Sequence, residues 1–343
     1  MIFIKKIKLL SAITLGLSLS QVAVADTTLK IGAWLPPTHV QNDIVWPTWA
    51  NWVEEATQGR VKIKMEYGLG HPKTMFDLVE DGAIDASFGY HGSVPGRFKL
   101  TQAIELPLLG TNAEAASVAH WRVFNKYFAK SNEHEGLEVL TLFTHGPGQM
   151  HLAQPIDSLG DLESKKVRLG GGVQSEIGKR MGVTAVGAPA PKVYEIMQQG
   201  VVDGILMPSG EQKTLRLNEV TKNLVVLPGG MYLGSFAMFI SPDFMDRISK
   251  EDRAAIRAVS GEKLAILAGA AWDRADELGL QAAKDAGVDV TIVKPGDTMA
   301  NEFVELTKGM DQEWFELVKK FDVDAPAALA EIREIARNYK PAQ

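Results

Sequence analysis

The stretch Ala188–Pro208, APAPKVYEIMQQGVVDGILMP, constrains the fold of this chain more than any other. Val193, Ile196 and Met197 recur at i, i+3 and i+4, giving a short helix one apolar face. Gly200 supplies a tight turn. Val201-Val202 and Ile205-Leu206-Met207 are too apolar for a solvent-facing strand and fit a parallel strand covered on both faces, stopped at Pro208. A helix returning onto such a strand implies α/β layers. Ligands of open α/β sheets sit beyond the carboxyl ends of the strands. Arg168, in KKVRLGG, is expected just after a short strand Lys165–Val167, where its forked donors suit a carboxylate.

The remainder alternates in the same way. Strands are expected at Thr28–Leu35, Arg60–Tyr67, Ile84–Tyr90, Leu137–Phe143 and Gln149–Gln154, with helices at Pro47–Thr57, Met75–Asp81 and Asn112–Lys130. Gly146-Pro147-Gly148 breaks the pattern and reads as a crossing between domains. A helix Val173–Met181 and strands Leu224–Leu227 and Ser235–Ile240 follow. Ser241-Pro242 is an N-cap and first-turn pair, and Ser249 with Asp252 opens a run that stays helical to about Ala286. Some 38 residues at 1.5 Å each give roughly 57 Å, enough to bridge two domains. Asp297–Phe321 and Pro326–Tyr339 read as packing helices.

Lys5, Lys6 and Lys8, an apolar run Leu9–Leu19 and Ala23-Val24-Ala25 form a signal peptide over residues 1–25, too short for a membrane anchor. The formal net charge of −6 becomes −9 once those three lysines are removed. That balance argues against nucleic-acid or anionic-membrane binding. The absence of cysteine excludes disulfides and thiolate chemistry. No second apolar run occurs, so the mature chain is expected to be soluble and periplasmic, and its length favours two domains.

Lys166-Val167-Arg168 and Tyr194…Gly200-Val201-Val202-Asp203-Gly204 resemble the signatures of the DctP-type solute receptors of tripartite ATP-independent periplasmic (TRAP) transporters. The resemblance runs from Lys30-Ile31-Gly32 to the terminal helices. It implies a two-domain α/β periplasmic binding protein of the type II-like class, with a long bridging helix and no cofactor. Such a receptor captures a small organic anion and hands it to TRAP membrane permease subunits. Domain I would comprise residues 26–147 and about 236–270, domain II 148–235 and about 271–320, with 321–343 packing on the body. The arginine matching Arg168 pairs with the substrate carboxylate. Sugar-acid-binding members carry a second arginine before the match to Pro155-Ile156, whereas here the run Gly146–His151 has none. Trp34, Tyr90 and Met207 stand where those members place polar residues. The resemblance thus implies a monocarboxylate with an apolar or aromatic body.

The expected ligand-binding set is Arg168, Trp34, Tyr90, His91, Met207, His71, Gln149 and Glu211. Trp49 and Val53 read as core, Trp52 as half buried, and Trp46, preceding Pro47, as barred from helical geometry at the helix entrance. His39, His71, His91, His145 and His151 fit no metal-ligand spacing. His71 and His91 are expected to hydrogen-bond the ligand, and His145 and His151 to flank a hinge. Gly68-Leu69-Gly70 and Gly170-Gly171-Gly172 match no phosphate loop, and Ser209-Gly210-Glu211 is no nucleophile elbow. The rival reading is a secreted α/β enzyme using His91 and Glu211 as base and acid on a small carboxylate.

Overall fold

The structure is a computed structural model that describes residues 27–341. The expected signal peptide lies outside the described residues. Two sheets organise the chain. The first has the order β2 (Val61–Tyr67), β1 (Thr27–Ala33), β3 (Ala86–Tyr90), β10 (Ser235–Ile240), β4 (Glu138–Thr144). In it β1, β2 and β3 are parallel, and β10 runs antiparallel to β3 and β4. The second has the order β11 (Asp289–Ile292), β9 (Asn223–Val226), β5 (Gly148–Leu152), β8 (Gly204–Pro208), β6 (Lys166–Leu169), β7 (Thr184–Gly187). Here β6 is parallel to β7 and β8, whereas β5 is antiparallel to β8 and β9.

Helices α1 (Trp46–Ala56), α2 (Met75–Glu80), α3 (Ala113–Val123), α7 (Pro242–Arg247) and α8 (Lys250–Ala258) belong to the first sheet's surroundings. Helices α4 (Val173–Arg180), α5 (Val193–Gln198), α6 (Glu211–Thr214), α10 (Thr298–Leu306) and α11 (Met310–Val318) belong to the second's. Helix α12 (Ala325–Asn338) returns to pack on α3 through Ala328, Leu329 and Ile332. Fully buried Leu29, Ile31, Phe88 and Phe239 anchor one core. Met150, Val167 and Leu206 anchor the other, which takes in α12 as well.

Three segments join the sheets. The chain leaves β4 through His145–Pro147 and enters β5, then returns from β9 through residues 227–234 into β10. The two crossings are bonded to each other, Gly148 N–H to Tyr232 O at 2.8 Å and Met231 N–H to Gly148 O at 2.9 Å. The third is α9 (Glu262–Asp285). One turn apart on it, Asp273 accepts the Ala113 and Glu114 amides that begin α3, and Asp276 accepts the Gly210 amide that begins α6. Each carboxylate satisfies helix-end donors that would otherwise be orphaned. Burial still dominates, pushing Asp273 up to about 6 and Asp276 well above the usual carboxylate range.

Several expectations need correction. The long helix is two: α8 ends at Ala258, Gly261 takes φ +65°, and α9 starts anew with 24 residues, or roughly 36 Å. The run Asp297–Phe321 is likewise split, by Gly309 at φ +84°. The helix expected to reach Lys130 ends at Val123 and continues as a wider π turn, Phe124–Phe128. Val201 lies in the turn, exposed, and the strand begins only at Gly204. Trp46 adopts helical angles, φ −62° and ψ −46°, despite the following proline; the π turn Gln41–Val45 feeds the chain into α1. Edge strands β7 and β11 were not foreseen, being short and only partly buried.

Candidate functional site

Six parallel strands point their carboxyl ends at one cavity of about 360 Å³, near the lower end of the ~300–1,000 Å³ common for small-molecule sites. From the first sheet come Trp34 after β1, His71 and Pro72 after β2, and Tyr90, Gly92 and Ser93 at the end of β3 and beyond. From the second come Arg168–Gly171 at the end of β6 and beyond, Gly187–Ala190 at the end of β7 and beyond, and Met207-Pro208 at the end of β8. The crossings contribute His145, Tyr232 and Phe236.

Arg168 lies within β6 rather than after it, because the strand begins at Lys166 and runs to Leu169. The signature around it builds this position. Gly200, at φ +67°, turns α5 into β8. The Asp203 amide donates to Lys166 O at 2.7 Å and its carboxylate accepts the Lys166 amide at 2.8 Å, so Asp203 clamps the strand that carries the arginine. Arg168 Nε donates to Ala188 O at 2.9 Å, aiming the guanidinium. Only 6% of Arg168 is exposed, and no carboxylate forms an ion pair with it among the described residues. Burial lowers its pKa; Tyr232, Tyr90 and Glu211 oppose that shift. It remains a cation, as arginine does in proteins.

The wall opposite is aromatic. Trp34 donates its indole N–H to Phe88 O at 2.9 Å and stacks on Phe88 at 4.8 Å, so its ring is preset. Tyr90 packs on Phe236 at 5.2 Å and donates its hydroxyl to Gly171 O at 3.0 Å, joining the two lobes. Gly171 and Gly172 have φ of +107° and +60°. A Cβ on Gly171 would strike Gly92 O, and one on Gly172 would strike the Glu105 carboxylate, so glycine is required twice over. Beneath this loop, Glu105 accepts the Val173 amide with one oxygen and the Ser235 amide with the other, both at 3.0 Å. Burial outweighs these bonds and pushes Glu105 up to about 7.

Of the expected set, the fold brings Arg168, Trp34, Tyr90, Met207 and His71 to the cavity, with His71 at its exposed rim. It does not bring the other three. His91 is sealed between Phe76 and Phe98, bonded to Ser235 Oγ at 2.7 Å and to His134 Nε2 at 2.9 Å, and burial holds it well below the usual histidine range. Gln149 points away, its Oε1 accepting the Leu227 amide at 2.8 Å. Glu211 is buried behind the wall with His39, 3.4 Å away, and Thr214. His91 and Glu211 therefore sit in separate networks. The expectation missed Tyr232, Phe236 and Gln174 and read His145 only as a hinge residue. For Tyr232 the sequence carries no such signal: the need for glycine at 148, where a Cβ would enter the Tyr232 ring, shows only in the folded structure.

The chain matches the family model "Bacterial extracellular solute-binding protein, family 7" (DctP) over residues 31–316. It is 28% identical over 308 residues to the outer membrane transporter protein TsaT of Comamonas testosteroni, covering 89% of this chain and 90% of that one. Among solved structures, a TRAP periplasmic solute-binding protein from Bordetella bronchiseptica with bound (R)- and (S)-mandelate is 33% identical, with TM-score 0.87 and coverage of 91% and 99%. A marine-metagenome TRAP solute-binding protein specific for aromatic acid ligands, holding 3-hydroxybenzoate, is 26% identical, with TM-score 0.84 and coverage of 92% and 100%. The matched length, the two-sheet architecture and the arginine-bearing cavity agree: this chain belongs to the DctP family of bacterial extracellular solute-binding proteins, the receptors of TRAP-type transport.

Proposed function

We propose that the chain is a periplasmic receptor that binds a small monocarboxylate with an aromatic or apolar body, without converting it, and presents it to TRAP permease subunits. The observation that carries this reading is Arg168, a buried cation with no carboxylate partner among the described residues, on the wall of an otherwise aromatic cavity. A buried charge is costly unless paired, so the site is complementary to an anion before one arrives. The carboxylate engages Arg168, and Trp34, Tyr90, Phe236 and Met207 bury the remainder. The mandelate and 3-hydroxybenzoate bound by the two solved relatives are of this chemical class. No helix among the described residues is long and apolar enough to cross a membrane.

Titration calorimetry with benzoate and phenylacetate on wild type and Arg168→Ala tests the reading. Loss of one partner of a buried charge pair costs about 3–5 kcal/mol, or roughly two to three and a half decades of affinity. An Arg168→Ala affinity within a factor of three of wild type would remove Arg168 as the anchor. A mass spectrum of the native protein that shows only non-acidic ligands would remove the reading altogether, and so would turnover of the bound acid.

A further inference from the structure

His145 begins the first crossing, 7% exposed, with its ring on the cavity wall between Tyr232 and Phe236 at 5.3 and 5.8 Å. Two backbone groups approach its Nδ1. Gly146 O lies at 2.6 Å and the Gly234 amide at 3.3 Å. A carbonyl oxygen that close needs a proton between the two atoms, whereas the amide is at the long limit of a hydrogen bond. Nδ1 therefore carries the proton and donates it to Gly146 O. In a neutral imidazole the other nitrogen is then a bare acceptor, and Nε2 has no hydrogen-bond partner among the described residues.

The ring stays neutral. Burial lowers His145 to about 4; the Gly146 carbonyl and the Glu211 charge work against that shift, and the Arg168 charge adds to it. Of the cavity's hydroxyls, Tyr232, whose ring packs on His145, donates to Leu206 O at 3.2 Å, Tyr90 to Gly171 O, and Ser93 to Tyr90 O at 2.6 Å. His145 and Arg168 line the same cavity, Tyr232 packs on the His145 ring, and the Arg168 charge reaches that ring, so the ring with the free acceptor belongs to the neighbourhood of the carboxylate anchor.

We propose that His145 Nε2 is a specificity-determining acceptor that selects ligands bearing a hydrogen-bond donor on the carbon next to the carboxylate, making the site one for 2-hydroxy acids with an aromatic body. This rests on the monocarboxylate reading above and narrows it. A 2-hydroxyl donates to Nε2. A methylene leaves Nε2 unpaired, and a 2-oxo group places its own lone pairs against it.

Mandelate, phenylacetate and phenylglyoxylate share one skeleton and test this by calorimetry at pH 7. Wild type is expected to bind the better mandelate enantiomer at least tenfold more tightly than phenylacetate, and phenylglyoxylate more weakly still. In His145→Asn the amide nitrogen keeps the place of Nδ1 and its bond to Gly146 O, but nothing replaces Nε2. The ratio of mandelate to phenylacetate affinity should fall within threefold of unity, whatever the change in absolute affinity. His145→Gln puts an amide group near the place of Nε2 and should restore part of the preference. Equal binding of the three acids by wild type overturns the proposal, as does preference for the oxo acid, a mandelate preference that survives His145→Asn, or discrimination seen only between 3-hydroxybenzoate and benzoate. If none of the acids binds at all, the broader monocarboxylate reading fails instead.

Discussion

At the scale of single residues, the cavity is a mainly apolar box with one arginine cation. Arg168 has its Nε bonded to Ala188 O, which leaves the two terminal nitrogens for a ligand carboxylate. Around it Trp34, Met207 and Phe236 offer no donors to the cavity, since the one indole N–H of Trp34 is taken by Phe88 O. A hexuronate would fit its carboxylate to Arg168 and strand several hydroxyls against this wall, at about 1–3 kcal/mol for each group left unpaired. In a thermal-shift screen, benzoate or phenylacetate at 100 times its dissociation constant should add about 2.7 kcal/mol of stability. Glucuronate at the same concentration should leave the melting temperature unmoved. A glucuronate shift equal to that of benzoate would mean the apolar wall is not where the ligand lies.

At the scale of elements, α9 holds the two lobes by close backbone packing as much as by its aspartates. A Cβ on Gly279 would meet Ser209 O and Gly210 Cα, the backbone of the β8–α6 turn just past Pro208 on the cavity wall. Helix propensity alone favours Gly279→Ala by about 1 kcal/mol. Overpacking against backbone, which cannot rotate aside, costs about 1–3 kcal/mol and should win. Urea melts are therefore expected to show Gly279→Ala less stable than wild type, with weaker ligand binding because Pro208 is displaced; a more stable variant would show that the turn yields. Most elements were legible in the sequence because they carry a period: β10 runs from Ser235 to Ile240 as its unbroken apolar run implies, and the Ser241 and Ser249 caps stand where expected. The breaks within helical patterns were not. Gly261 and Gly309 lie in runs whose apolar spacing continues past them; α8 and α10 have already ended at Ala258 and Leu306, and each glycine, at positive φ, is the residue from which the next helix starts. At the site, strand ends gave Trp34, Tyr90 and Met207. Whether His91 or Gln149 faces the cavity or the core depends on partners, Ser235 and Leu227, that are 144 and 78 residues distant.

At the scale of the whole molecule, the lobes meet over a buried carboxylate. Glu105 accepts one amide from the start of β10 and one from the start of α4, so its charge lies where the two sheets' structures join. The two amides help the carboxylate; burial exceeds their help and raises its pKa from 4.5 to about 7. A carboxyl whose folded pKa is raised contributes stability that is fully present below the unfolded value and lost as pH rises through the folded one. The window is therefore pH 4.5 to 7, and the loss across it is on the order of 3 kcal/mol. The buried histidines work in the opposite sense. His120 and His134, both lowered to about 3, and His145 and His151, both lowered to about 4, favour the folded state as pH rises through the unfolded histidine range, so the wild-type profile alone cannot isolate Glu105. The difference between Glu105→Gln and wild type does. The amide accepts one backbone N–H and loses the other, a deficit that does not vary with pH. Stability of the variant relative to wild type should rise by about 3 kcal/mol between pH 4.5 and 8 in denaturant melts. A flat difference across that range would mean that water reaches Glu105 and that the lobes are not sealed over it.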